Sequence, residues 1–242
     1  MNNSPKNPWL RLTPKAPFVL PSDRGAIDSF NLQAAEGDRL NVKLLPIPFL
    51  GRPDAPIVLL NLNPGYHPHD DKLQKQPRFM QACRRCLKHT DDAFPFFFLD
   101  PKIEGSEPGP GHRWWSRILR PLLDDNAPSF LSRALLCVEF FPYSSHRFKS
   151  LRTILDSQLY GFQLVRAAIQ RGAIIVVMRS RGLWFDAIPE LLTYKKVYIT
   201  KNPRNPVVSN ANLPDGFKQI TRALERFRGR NRDGQILRGA FV

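Results

Sequence analysis

Continuous runs of apolar residues mark four positions at which the chain is predicted to form buried strands. The runs lie at residues 55–62, 134–138, 172–178 and, in a shorter version, 196–200. Apolar residues fill consecutive positions in these runs, whereas a strand with one solvent-exposed face would alternate apolar and polar residues. This pattern is typical of parallel strands that are covered on both faces.

Stretches with helical spacing of apolar residues separate these runs. They predict helices at residues 76–89, from His112 through Leu123, at 151–171 and at 216–227. The alternation of strands and helices over about 170 residues predicts an α/β fold. We expect a three-layer α/β/α arrangement around a mostly parallel central sheet of about four strands.

The N-terminal part of the chain is rich in proline, which interrupts both helices and sheet ladders. We therefore expect an extended arm that is anchored on the core by Trp9, Phe18 and Phe30. The predicted boundaries are residues 1–54 for the arm, 55–227 for the α/β domain with 66–112 as a long insertion or cap, and 228–242 for a basic C-terminal tail.

The charge of the chain indicates a polyanionic partner. The sequence has 36 Lys and Arg residues against 21 Asp and Glu residues, a formal net charge of +15, and nucleic acid is the first candidate. The 42% share of hydrophobic residues excludes a largely disordered chain. No apolar run approaches the ~20 residues of a membrane-spanning helix, and the N-terminal residues lack the pattern of a secretory signal. Three cysteines are too few for a disulfide scaffold. We therefore expect a cytoplasmic monomer without membrane association.

Polar residues beside prolines follow several of the predicted strands, at 63–65 (NPG), 139–142 (EFFP) and 202–206 (NPRNP). An arginine-rich turn, 179–181, follows another strand. Ligands of open α/β sheets bind at the carboxyl ends of the strands. We therefore favour a functional role for these loops over the alternative, that the prolines end strands for structural reasons.

Four short motifs occur around these strand ends in a defined order: LNPG at 62–65, HRWWSRIL at 112–119, IIVVMRSR at 174–181 and NPRNPVVS at 202–209. This order resembles the uracil-DNA glycosylase superfamily, most closely its mismatch-specific uracil/thymine branch. The motifs are similar to that branch's Asn-Pro-Gly turn, its Arg-Phe-Trp helix, its penultimate strand and its final Asn-Pro-Ser-type loop. The resemblance spans residues 55–227 and implies hydrolysis of an N-glycosidic bond in DNA.

The resemblance also implies roles for the residues that follow the first strand. It assigns Asn63 to the hydrolytic water, which an amide can orient but cannot deprotonate. His67 or Asp70, or their neighbours His69 and Asp71, would then supply the general base, unless this cluster is a solvated loop. Besides Glu139, the residues expected to bind the base are Pro64, Gly65, Tyr66, Asn202 and Phe140, with Phe141 as the alternative to Phe140.

Glu139 ends the second predicted strand, where members of the family read the pairing edge of the base. An ionised Glu accepts hydrogen bonds only, so it suits the N4 amino group of cytosine and repels the O4 of uracil or thymine. An ion pair with an arginine is the alternative, and a protonated Glu139 would remove the preference. We therefore expect a cytosine-type base. The long 66–112 segment either caps a larger pocket that admits a bulky modified base, as in foreign DNA, or is a surface loop without a role in the site.

Basic and polar residues near the last two strands are expected to contact DNA. Arg204 and Asn205 are placed to enter the duplex or to fill the space that a flipped base leaves. The residues expected to contact the DNA backbone are Arg179, Arg181, Lys201 and Ser209, with Arg226, Arg228, Arg230 and Arg232 in the tail. Neutralising phosphates in this way makes binding fall steeply with salt.

Cys83-x-x-Cys86 could supply half of a metal site, but the third cysteine, Cys137, lies in a predicted buried strand. His89 adds a third ligand, but the sequence offers no suitable fourth. We therefore predict that the protein binds no metal and no cofactor. The predicted enzyme is a monofunctional glycosylase.

Two other functions stay open. One is a catalytically silent nucleic-acid-binding protein on the same fold; the other is a phosphate-processing α/β enzyme, which the lack of GxxxxGK[ST] and GxGxxG motifs disfavours.

Overall fold

The computed structural model describes residues 6–90, 92–103, 105, 108–151 and 153–239, with side chains as far as residue 230. It has an α/β fold with a five-stranded sheet in the order β1-β3-β2-β4-β5. The strands are β1 (Phe49–Gly51), β2 (Ile57–Asn61), β3 (Leu135–Glu139), β4 (Ile174–Val177) and β5 (Val197–Ile199). All neighbours pair in parallel except β1, which runs antiparallel to β3, so the predicted α/β class and mostly parallel sheet are confirmed.

The inner strands follow directly from the apolar runs of the sequence. Every residue of β2, β3 and β4 is buried, which explains why these runs lack the alternation of a half-exposed strand. The edge strand β5 pairs with β4 alone among the described strands and keeps partly exposed side chains. Burial on both faces therefore distinguishes the centre of the sheet from that edge.

The prediction of about four strands is wrong by one, and the additional strand is β1. It is three residues long and lies within the segment that the sequence predicts to be an extended arm. A run this short has no recognisable period, and its pairing with β3 is a long-range contact. Gly51 has a φ of 97°, and a Cβ there would lie 2.0 Å from the carbonyl oxygen of Leu135, so glycine permits this close pairing.

Nine α-helices occur in the described part of the chain, and all four stretches predicted to be helical contain helices. The helices are α1 (Arg24–Gln33), α2 (Asp70–Leu73), α3 (Pro77–Leu87), α4 (Pro110–Ile118), α5 (Arg120–Leu123), α6 (Pro128–Ala134), α7 (Asp156–Gln170), α8 (Arg181–Ala187) and α9 (Pro214–Gly239). Helix α7 contacts β3 and β4, and α9 contacts β4 and β5. Among the described residues, no helix combines the length and the apolar character that crossing a bilayer requires.

All four predicted helices differ from the observed ones in their bounds. The largest difference is at α9, which continues to Gly239 and so includes most of the segment predicted to be a basic tail. The helix expected from His112 through Leu123 is divided into α4 and α5 at Leu119, because Pro121 has no backbone N–H to continue the ladder. The helix expected from residue 151 begins at Asp156, where the chain enters α7.

Residues 20–23 are held to the rest of the molecule by a buried hydrogen-bond network. The hydroxyl of Tyr143 donates to Asp23 Oδ2 at 2.7 Å and accepts the backbone N–H of Leu20 at 3.3 Å. The backbone N–H of Ser157, in the first turn of α7, donates to Asp23 Oδ1 at 3.2 Å. Asp23 and Tyr143 are both buried. The N-terminal segment, which also contains α1, is therefore integrated with the sheet domain rather than merely extended over it.

Replacing Asp23 with Ala is expected to lower the free energy of unfolding by about 1–3 kcal/mol, because two buried donors lose their acceptor. Urea denaturation measures this difference. Asp28→Ala is the matched control, because Asp28 lies in the same helix region and is exposed. Equal stability of the two variants would contradict a stabilising role for the network.

Candidate functional site

A cavity of about 410 Å³ opens at the carboxyl ends of β2, β3 and β4. The ends of the strands contribute Asn61, Glu139 and Arg179 to its lining. The facing wall is largely aromatic and includes Phe79, Phe98, Trp114 and Trp115. The volume lies within the ~300–1,000 Å³ of typical small-molecule sites, and the location is the one at which open α/β sheets bind ligands.

Asn61 and Glu139 form a buried polar pair at the strand ends. They are register partners on the adjacent parallel strands β2 and β3. The Asn61 Nδ2 donates to Glu139 Oε1 at 3.0 Å, and the two residues are 5% and 6% exposed. Asn61 Oδ1 and Glu139 Oε2 are buried without a hydrogen-bond partner among the described residues. Buried polar atoms without partners are rare in native proteins, so this pair marks a place where a ligand is expected.

The protonation state of Glu139 differs from the one assumed in the sequence argument. Burial raises the pKa of Glu139 to about 8, although the Asn61 hydrogen bond, the Arg179 charge and the Cys137 thiol 3.8 Å away act in the opposite direction. At neutral pH the carboxyl is therefore mainly protonated. Because a neutral carboxyl can donate to a carbonyl, the argument against uracil and thymine fails, and no ion pair within 4.0 Å joins Glu139 to a described arginine.

Arg179 brings a positive charge to the same end of the cavity. Its guanidinium lies 5.6 Å from the ring centroid of Trp114, and its Nη2 donates to the carbonyl of Arg204 at 3.5 Å. Its Nε is buried and has no partner among the described residues. Desolvation lowers the pKa of Arg179 from its ordinary value, but a guanidinium remains charged at neutral pH. The aromatic face and the carbonyl thus hold a cation beside Glu139.

The turn after β2 also borders the cavity. The Nδ2 of Asn63 donates to Ser145 Oγ at 3.4 Å and to the carbonyl of Pro64 at 3.2 Å, and Gly65 forms a bridge with Ser145. Because the amide nitrogen is engaged with the protein, the oxygen is the atom of Asn63 that is available to a ligand or water. The predicted residues Pro64, Gly65 and Tyr66 line the cavity as well.

Of the four residues named as candidates for the general base, His67 and Asp70 line the cavity, and the geometry favours Asp70. His67 Nδ1 accepts the backbone N–H of His69 at 3.1 Å, so a neutral ring carries its proton on Nε2 and is a donor there. Asp70 Oδ2 accepts the backbone N–H of His67 at 2.7 Å, which leaves its other oxygen free of that contact. Burial raises the pKa of Asp70, and both residues line the cavity.

The loop at 201–209 lies beside the cavity without lining it. Asn212 organises this loop: its Oδ1 accepts the backbone N–H of Asn202, and its Nδ2 donates to the carbonyl of Asn205. Arg117, in α4, donates to Asn205 Oδ1. Because α4 also carries Trp114, and Arg179 contacts the carbonyl of Arg204, the loop adjoins the mouth of the cavity. Lys201, Arg204 and Asn205 are exposed there, and Ser209 is half-buried.

Several residues predicted to form the site lie elsewhere. Phe140 is in the core, where its ring packs edge-on against Trp184 at 5.1 Å and beside Phe162. Asn202 accepts the backbone N–H groups of Arg204 and Asn205, so it shapes the loop and does not reach the base pocket. Arg181 lies over Phe185 at the start of α8. The tail residues Arg226, Arg228 and Arg230 are exposed on α9 away from this cavity, and the Arg232 side chain lies outside the described residues.

Asn61 is a residue of the candidate site that the sequence reasoning missed. Its signal was an amide inside an otherwise apolar run, IVLLNL, where a buried polar group requires a partner. Trp114 lies in the stretch predicted to be helical from His112 through Leu123, and the structure places its ring in the cavity wall. The contact of Arg117 with the loop has no signal in the sequence, because the two segments meet only in the folded chain.

The cysteines do not gather into a metal site. Cys83, Cys86 and Cys137 are buried free thiols, and burial raises the pKa of all three. Cys86 Sγ lies 3.3 Å from the carbonyl oxygen of Phe49. Across the described ranges, no group of three or more His, Cys, Asp or Glu side chains is arranged to hold a metal ion.

Comparison with known proteins adds no relative to this description. No protein-family model, no curated protein and no solved structure matches the chain significantly. The residues of the cavity and the resemblance of the motifs therefore carry the evidence on function.

Replacing Glu139 with Gln is expected to remove a pH dependence of stability. The folded carboxyl titrates at a pKa of about 8, against an ordinary value of 4.5. Between these values the folded state binds more protons, so the free energy of unfolding falls as the pH rises, by up to ~1.4 kcal/mol per pH unit. The Gln variant lacks this contribution and should gain stability relative to the wild type over that interval. Urea denaturation between about pH 5 and 8 measures the difference; parallel curves would contradict a buried neutral carboxyl.

Proposed function

We propose that the protein is a monofunctional DNA glycosylase, which hydrolyses the N-glycosidic bond of a flipped base and leaves an abasic site. The observation that carries the proposal is the convergence of three features on one cavity: the Asn63 turn, the buried Asn61–Glu139 pair and Arg179 beside the 201–209 loop. These features lie at the ends of three different strands. Their convergence supports the resemblance that the order of motifs suggests.

The reaction needs a positioned water, a proton acceptor and stabilisation of the leaving base. In the proposed mechanism Asn63 Oδ1 orients the water toward C1′ of the sugar, and Asp70 accepts its proton. The C1′–N bond breaks through an oxocarbenium-like transition state, and its electron pair leaves with the base. The positive charge of Arg179 and a hydrogen bond from neutral Glu139 stabilise the negative charge that develops on the base.

The proposed substrate is a pyrimidine-type base, with two classes to be tested. A cytosine-type base presents an amino group, and a uracil-type base presents a carbonyl; a protonated Glu139 next to an amide oxygen is compatible with both. The 66–112 segment contributes Tyr66, Phe79 and Phe98 to the cavity wall. This composition supports the proposal that the segment caps the site and admits a bulky modified base, as in foreign DNA.

The DNA surface is proposed to surround the mouth of the cavity. Arg204 and Asn205 would enter the duplex, while Lys201, Ser209 and Arg181 would contact phosphates. The net charge of +15 supports this arrangement. The flipped base requires a few kcal/mol of unstacking free energy, which pocket and phosphate contacts offset.

The remaining parts of the proposal concern the layers and the location. Right-handed connections from β2 to β3 and from β3 to β4 cross the sheet in opposite directions, which would send their helices to opposite faces. These opposite directions support the proposed three-layer arrangement. DNA as the substrate supports a cytoplasmic location, which is nucleoid-associated if the protein is bacterial.

A base-release assay tests the proposed activity. Duplex and single-stranded oligonucleotides that carry uracil, thymine mismatches or modified cytosines are incubated with the protein and then cleaved with alkali at abasic sites. Asn63→Ala is expected to lower the rate of strand breakage about 100-fold or more while DNA binding persists. Asn126→Ala is the control, because Asn126 contacts Leu122 and Arg228 outside the cavity. Binding without strand breaks in the wild-type protein would instead support the silent binding protein.

The DNA surface is tested by the salt dependence of binding. Lys201→Ala and Arg204→Ala should each weaken duplex binding and reduce the slope of log K against log salt concentration by about 1. Lys88→Ala removes an exposed charge outside the cavity lining and should leave the slope unchanged. An equal effect of all three substitutions would argue for non-specific attraction in place of a defined surface.

A further inference from the structure

The Asn61–Glu139 pair presents two buried atoms whose hydrogen-bonding needs the described protein leaves open. Asn61 Oδ1 and Glu139 Oε2 belong to register partners on adjacent parallel strands, and both residues line the cavity. Strands in a sheet lie ~4.8 Å apart, so the two side chains are immediate neighbours. An open buried acceptor next to an open carboxyl oxygen would cost stability in a protein that never filled the site.

The backbone around Asn61 is held rigidly behind the pair. The carbonyl oxygen of Asn61 accepts the indole N–H of Trp184 at 2.8 Å and the backbone N–H of Phe140 at 3.3 Å. Trp184 is fully buried, and the Phe140 ring packs edge-on against it. These contacts fix the end of β2, so that the amide of Asn61 can hold one geometry relative to Glu139.

The hydrogen bond inside the pair decides what each open atom can do. Asn61 Nδ2 donates a hydrogen bond to Glu139 Oε1. The remaining polar atom of the amide, Asn61 Oδ1, can only accept hydrogen bonds. Because Glu139 Oε1 accepts that bond, the proton of a neutral carboxyl resides on Oε2, which then donates. The raised pKa of Glu139, about 8, agrees with this assignment. The pair therefore presents one acceptor and one donor side by side.

We infer that Asn61 determines specificity together with Glu139, and that the pair binds the edge of a planar heterocycle in which an N–H lies next to a hydrogen-bond acceptor. The N–H donates to Asn61 Oδ1, and the acceptor receives the proton of Glu139 Oε2. The aromatic wall that includes Phe98 and Trp114 suits a flat ring. That the ring is a nucleobase rests on the proposed function. A base whose edge nitrogen is alkylated would lose one of the two bonds and leave Asn61 Oδ1 buried without a partner.

Two probes of almost equal shape test the inference. In 1-methyluracil the N1 methyl group stands for the sugar and the N3–H edge is intact, whereas in 1,3-dimethyluracil the N3–H is replaced by a methyl group. Binding is followed by tryptophan fluorescence and calorimetry, with 1-methylcytosine as the probe for the amino-bearing class. We expect the intact edge, of uracil or of cytosine, to bind at least about tenfold more tightly than the blocked one.

Variants of the pair distinguish recognition from a structural role. Asn61→Ala should reduce the preference about tenfold or more, because the bond from N3–H to Asn61 Oδ1 is the one that the blocked probe lacks. Glu139→Gln keeps a donor at the position of Oε2 and should bind each probe within about twofold of the wild type. Glu139→Leu removes a bond that both probes share, so it should weaken both about tenfold and leave the preference unchanged. The preference is the ratio of the affinities for the two probes, measured in one protein sample. Partial unfolding lowers the amount of bound probe but leaves this ratio unchanged. If Asn61→Ala does not fold, Asn61→Leu, which has a similar volume and no acceptor, takes its place in the comparison.

The outcomes separate this inference from the proposed function. Equal binding of the intact and blocked probes, or an unchanged preference in Asn61→Ala, overturns the inference, even if the protein releases bases from DNA. Edge-selective binding of free bases supports it, even if no oligonucleotide is cleaved, in which case the glycosylase proposal falls.

Discussion

The parallel pairing of β2 with β3 is the constraint on which the candidate site depends. Residue for residue, Ile57–Asn61 lies opposite Leu135–Glu139, so the last residues of the two strands become neighbours. A slip of one residue would turn every side chain of one strand to the opposite face of the sheet. Both strands are wholly buried, and their apolar side chains on both faces hold the register. The meeting of an amide and a carboxyl at the end is a consequence of packing along the whole pair.

Burying the polar Asn61–Glu139 pair at one end of the sheet is unfavourable for folding. An apolar pair of similar volume would be expected to be neutral or stabilising at such a position. Local rules of folding are most often broken at functional sites, and here the break coincides with a cavity, an arginine held over Trp114 and a basic loop. Burial keeps the carboxyl of Glu139 neutral. A neutral Glu139 can donate a hydrogen bond from Oε2, while Asn61 Oδ1 can accept one.

Positions at the ends of neighbouring strands could be predicted from the sequence, whereas contacts between distant segments could not. The strand ends at Asn63, Glu139 and Arg179 were predicted to meet because parallel strands bring their carboxyl ends to one edge, and these residues line one cavity. Phe140 was predicted to bind the base. The folded chain instead packs its ring against Trp184, a residue far along the sequence that no local pattern connects to it. The strand β1 was missed because three residues between prolines carry no period.

Apolar runs, helical spacing and charge are properties of neighbouring residues, so the sequence by itself determined the α/β class, four of the five strands and the strongly basic character of the chain. The tertiary structure decided the rest. The Asn61–Glu139 bond joins residues 78 positions apart, and the protonation of Glu139 depends on desolvation by many groups at once. The orientation of Arg179 depends likewise on Trp114 and on the carbonyl of Arg204. Such contacts exist only when distant segments are brought together, because burial and hydrogen-bond geometry are collective properties of the packed chain.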